Sequence, residues 1–216
     1  MQPDEWISVI ANSVSYWDEI EPTWTSINQS YCDRCDDEGL EAFHDAALQL
    51  CTEPSLYERI KVKDTPTLQS QIDKLVDNAL TASAHDPKIK AIYFEYDYSG
   101  GPWAHLEAFL CLRYSSSRIP RESDWPAFFE QSIEGPNVAA LLAYDPDGEL
   151  SEGLDLVAGA YIDAVILAAI VRSIQRRSDT TLPFGFARHD HPVVHIKNCR
   201  DEERYQSEAS QETPPK

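Results

Sequence analysis

The chain has 216 residues, 42% hydrophobic and 10% aromatic, with 37 acidic against 18 basic side chains and a formal net charge of −19. A globular chain this long hides roughly 70% of its extended-state surface, so a large core is attainable without metal or disulfide staples, and the aromatic content excludes global disorder. The negative excess opposes nucleic acid and anionic lipid and favours a basic partner, unless it confers solubility alone.

Trp6, Ile10, Val14 and Trp17 recur at helical spacing from an Asp4 start, and Pro22 ends this first predicted helix. Trp24, Ile27 and Tyr31 continue the pattern in a second, and Leu40, Phe43, Ala47 and Leu50 mark a third, closed before Pro54. Thr65 caps a fourth with Pro66 in its first turn; its stripe of Leu68, Ile72, Leu75, Val76 and Ala79 stops near His85.

From Ile89 the period becomes two. Ile92, Phe94 and Tyr96 lie on one face of an extended strand and Tyr93, Glu95 and Asp97 on the other. Ser99 to Pro102 turns the chain, and His105 to Tyr114 returns as the second strand of an antiparallel hairpin, with Glu107 on its outer face. Asp124-Trp125-Pro126 begins a short helix carrying Phe128, Phe129 and Ile133, while 137–144 fits either a strand or a helix.

Leu150 to Arg177 is the longest predicted helix. Apolar residues surround most of its axis, which places it in the centre of the fold. Asp163 within it requires a buried donor or a crevice, because an isolated buried carboxylate costs on the order of several kcal/mol. Short strands near Phe184–Ala187 and Val193–Ile196 precede a polar tail, 201–216, expected to be disordered. The fold class is therefore α+β: N-terminal helices and a long central helix packed on a small, mainly antiparallel sheet. One domain spans 1–200, with an acidic helical part at 1–62 and the helix, hairpin, long helix and short strands at 63–200.

Asp4 and Glu5 stand where a secretory signal carries basic residues, and the most apolar window, 156–171, is shorter than the ~20 residues that span a bilayer. Cys32, Cys35, Cys51, Cys111 and Cys199 are odd in number, so reduced thiols and a cytoplasmic location are expected.

Four constellations carry possible chemistry. Cys32 and Cys35 form a CxxC with His44 and Cys51 downstream, but the spacing is not that of a zinc site, and ordinary cysteines are expected. His189, His191 and His195 share alternate positions interrupted by Pro192, which suits an exposed strand edge better than a metal site. Glu95, Asp97 and Glu107 can gather across the hairpin, as paired acids or as an acidic face for a basic partner. Asp33, Asp36, Asp37, Glu38 and Glu41 form the densest acidic run, within a first 60 residues holding 13 acidic and 2 basic side chains. No GxSxG, P-loop, GxGxxG or HExxH motif is present, which removes the common hydrolase, NTPase, dinucleotide and metalloprotease readings, and no cofactor is expected.

The succession of an amphipathic helix (67–84), the strand Lys90-Ala91-Ile92-Tyr93-Phe94-Glu95-Tyr96-Asp97, a second strand, Asp124-Trp125-Pro126 and a long closing helix resembles the layout of bacterial immunity proteins that neutralise polymorphic or contact-delivered toxins. The resemblance covers residues 65–180. It implies a cytoplasmic protein without catalysis of its own that blocks the active site of one cognate toxin domain. The expectation is an inhibitor of a basic toxin, such as a nuclease or other nucleotide-handling enzyme, that binds no nucleic acid and no membrane. Its contacts are expected at Asp33, Asp36, Asp37, Glu38 and Glu41, and at Glu95, Asp97, Trp103 and Glu107. The alternatives are a metal-dependent hydrolase using clustered carboxylates and a non-catalytic adaptor subunit.

Overall fold

The computed structural model describes residues 1–12, 17–97, 104–115, 125–145, 148–177, 180–189 and 191–197, the side chains of 12 and 17–19 excepted. The expected tail, Cys199, and Trp103 with the turn that precedes it lie outside these residues.

The N-terminal third is helical: α1 (Pro3–Asn12), α2 (Trp17–Cys32), α3 (Asp37–Cys51), α4 (Pro54–Ile60) and α5 (Thr65–Ala84). Pro22 lies inside α2 and does not end a helix there. Proline forgoes one i→i−4 hydrogen bond at a cost of about 3 kcal/mol. Ile20, Trp24 and Ile27, all buried, outweigh it at roughly 1.5–3 kcal/mol each. The cap of α3 is Asp36, whose carboxylate accepts from the Gly39 N–H at 2.9 Å. A Cβ at position 39 would fall 2.3 Å from Asp36 Oδ2, so a side chain there would oblige the capping carboxylate to shift. In α5 the cap is Asp64, one residue before the expected Thr65, and the whole predicted stripe is buried. Leu50, expected on the inner face of α3, is exposed, and Leu48 is buried in its place.

The sheet follows. Strands β1 (Ala91–Tyr96), β2 (His105–Cys111), β3 (Phe129–Asn137), β4 (Phe184–Arg188) and β5 (Val194–Ile196) assemble in the order β3-β2-β1-β4-β5. β1 pairs antiparallel with β2 and parallel with β4, and β2–β3 and β4–β5 are antiparallel, so the sheet is mixed. A 3-10 turn (Trp125–Ala127) leads into β3, and a short α6 (Ala139–Leu142) follows it. The segment expected to be a helix with Phe128, Phe129 and Ile133 is thus an edge strand. Its i, i+4 apolar spacing is overridden by pairing with β2, which leaves 129–132 and 134 exposed.

Helix α7 (Glu152–Gln175) crosses from this antiparallel half to β4 and packs among α1, α3, α5 and α6. It is long and apolar enough to cross a membrane, yet 83% of that window is buried inside the fold. Asp163 at its centre is fully buried and held from the sheet. The Arg188 guanidinium of β4 donates to both carboxylate oxygens, and the Tyr96 hydroxyl of β1 donates to Oδ1. Burial, reinforced by the Asp163 charge, pushes the Tyr96 hydroxyl well above its ordinary pKa and keeps it a donor. One contiguous apolar cluster runs from Trp6 to Ile196 on this face of the sheet.

Candidate partner-binding surface

The two acidic groups picked out in the sequence occupy different surroundings. At the α2–α3 connection, Asp36 is spent on its cap. Asp37 and Glu41 bind Arg172 of α7 at 2.7 and 3.1 Å, and Arg172 also donates to Gln69 of α5. Asp33 accepts from Gln29, whose amide also brackets the His195 backbone on β5 through two hydrogen bonds. Glu38 alone of the five is exposed, at the rim of a cleft of about 590 Å³ that also holds Glu41, Asp45, Glu58, Lys61 and Tyr161. This run ties three helices together and presents little unpaired charge.

The outer face of the sheet differs. Glu95 on β1 stands directly opposite Glu107 on β2, and Glu107 stands opposite Glu134 on β3. Residues opposed in this way share a face, so three carboxylates form a row across three strands. Glu95 accepts from the Tyr93 hydroxyl at 2.8 Å and meets His189 Nδ1 at 2.8 Å. His105 lies 3.4 Å from Glu134. Among the described residues no lysine or arginine pairs with any of the three, and Glu107 has no ionic partner. Asp97 follows the end of β1 and is exposed, so the hairpin brings Glu95 and Glu107 together and leaves Asp97 beyond the row.

An aromatic row lies beside the acidic one. Tyr93 and Phe109 are cross-strand partners, Phe129 meets Phe109 edge-on at 4.9 Å, and Trp125 meets Tyr93 at 5.8 Å and Tyr114 at 5.4 Å. Trp125 fits because position 185 is glycine: a Cβ there would fall 2.9 Å from the indole ring and 2.7 Å from Val193. The row surfaces at Tyr114, Phe128 and Phe129, between 39% and 45% exposed, with the Arg113 guanidinium 3.8 Å over the Phe128 ring.

The remaining constellations do not converge. Cys32 is buried and free, and burial raises its thiol pKa, whereas Cys35 is disulfide-bonded, contrary to the expectation of reduced thiols throughout. Cys51 and Cys111 are free, which leaves Cys199 as the one cysteine outside the described residues. His44 is buried against Asn28, Nε2 to Oδ1 at 3.0 Å, and desolvation lowers its pKa to about 3. His189 and His191 bind Glu95 and Glu21 in separate places. Among the described residues no three His, Cys, Asp or Glu side chains come together to hold a metal ion.

Sequence reasoning misses Glu130 and Glu134, because the i, i+4 spacing of Phe129 and Ile133 predicts a helix where they lie. The signal available was Gly135-Pro136, which suits the irregular end of an edge strand better than a helix. Comparison of the chain with protein-family models, with curated proteins and with solved structures finds no match.

Proposed function

We propose that the chain is a non-catalytic binding protein of the immunity type, which occludes the active site of a basic toxin domain with the outer face of its sheet. The observation that carries the reading is the glutamate row Glu95–Glu107–Glu134, set beside exposed aromatics and unneutralised by lysine or arginine among the described residues. Like charges directly opposite in a sheet destabilise it, so a row of three is a cost to the fold that a cationic partner would remove. Carboxylates steer encounter and buried aromatics slow dissociation, the division of labour found at tight protein interfaces. The proposed surface therefore keeps Glu95 and Glu107 of the two expected patches, adds Glu134 and leaves out the α2–α3 run. The compartment is a separate matter: the disulfide at Cys35 favours an oxidising setting over the cytoplasm inferred from the N-terminal residues.

The test is titration calorimetry against the product of the gene adjacent to this chain's own, with growth measured on co-expression. Binding that weakens as salt rises, is reduced by Glu95→Gln, Glu107→Gln and Glu134→Gln together, and accompanies rescue of growth is the expected result. Absence of binding, or binding indifferent to both salt and the triple substitution, overturns the proposal.

A further inference from the structure

We infer that the free edge of β3 accepts an extended, lysine- or arginine-bearing segment of a protein partner as a sixth strand. This rests on the binding reading above and names the surface and the form of the occupant.

The strand is the last of its sheet, and among the described residues nothing pairs with its far side. Its ladder shows which backbone groups are free. The Leu112 N–H donates to the Phe128 carbonyl and the Val138 N–H to the Ala104 carbonyl, so even-numbered residues of β2 face β3. Ala108 and Leu110 oppose Ile133 and Gln131, which turn their N–H and C=O groups inward. Ser132 and Glu134, opposite Phe109 and Glu107, turn theirs away from the sheet. Register shifts flank this stretch on both sides, and Pro136 closes it at one end, so the regular, open edge is confined to 131–134. Backbone groups presented in this way are the template for strand addition.

Charge decides the occupant. Between Phe129 and Asn137 the strand carries Glu130 and Glu134 and no basic residue. A second copy pairing antiparallel about Ser132 would set Glu130 against Glu134 twice, with Glu107 behind, and opposed like charges penalise that pairing. A segment with lysine or arginine at alternate positions meets the same carboxylates with opposite sign. Phe128 and Phe129, both exposed at the strand's start, offer apolar surface to the aliphatic stems of those cations.

The probe is a fluorescent peptide of alternating lysine and valine, compared with the same peptide N-methylated at alternate backbone nitrogens. Charge is equal in the two, but only the first can complete a ladder. Binding of the unmodified peptide is expected, roughly tenfold weaker after N-methylation and after Ser132→Pro, a change that removes an outward N–H without altering charge. Thermal unfolding of Ser132→Pro checks that the variant folds, and the N-methylated peptide keeps the test intact if it does not. Equal binding of the two peptides overturns strand addition while leaving an acidic surface for a basic partner. Binding of neither peptide, or a sedimentation dimer abolished by Ser132→Pro, also overturns the inference, the last by assigning the edge to a second copy. Failure of the underlying reading is distinguishable, because it appears as loss of toxin binding in calorimetry whatever the peptides do.

Discussion

The acidic run from Asp33 to Glu41 and the glutamate row of the sheet carry the same functional group to opposite ends. In the first, the carboxylates cap a helix or grip Arg172, so removing them should weaken the fold. In the second they face one another without lysine or arginine, so removing them should relieve it. Density of charge in sequence thus says less about a binding surface than whether the fold has already supplied the counter-charge.

The most severe test of that contrast is the carboxylate most completely enclosed by the fold. Asp163→Ala strands the buried Arg188 cation, and chemical denaturation should show a loss of about 3–5 kcal/mol, if the variant folds. Next comes the covalent tie at the acidic turn. Without reductant, the thiols of Cys32, Cys51 and Cys111 should react in the denatured protein and that of Cys35 should not, and reduction should expose Cys35 at a cost of about 2–4 kcal/mol. Five reactive thiols in the untreated protein would contradict the bond.

Acid should act through the helical layer. His44 has its pKa depressed to about 3, below the unfolded value near 6.5, so the unfolded chain binds the extra proton throughout that interval. Stability is therefore full above about pH 6.5 and falls as pH drops toward 3. Between pH 7 and 5 the loss should be about 2 kcal/mol, and His44→Gln should flatten that slope. Asp37→Ala should cost about 1.5 kcal/mol by breaking a charge-assisted bond to Arg172. Glu107→Gln should do the reverse, raising stability by about 0.5 kcal/mol while weakening partner binding. If Glu107→Gln destabilises the fold, the two regions do not differ as described.

Legibility followed periodicity. The stripe of α5, the alternation of β1 and β2 and the all-round apolar character of α7 are each regular along the chain, and all three are readable. The β3 strand buries almost nothing, so it has no alternation to detect, and Glu134 went unseen with it. The neutralisation of Asp37 and Glu41 was invisible for another reason: Arg172 lies 135 and 131 residues away in sequence. Asp163 fell between these cases. Its need for a partner followed from burial alone, but Arg188 became identifiable only once β4 was placed beside β1.

The same pair gives the chain's synthesis an awkward interval. Helices α1–α5 and strands β1–β3 precede α7 in the order of translation, so most of the surface that shelters it already exists when it leaves the ribosome. Arg188 does not, since it follows Asp163 by 25 residues. Until β4 emerges, the nascent chain holds a strongly apolar helix whose one central charge has no cation. Pairing of Asp163 with its cation therefore awaits β4, and truncation before Arg188 should leave the newly made protein prone to chaperone retention or aggregation.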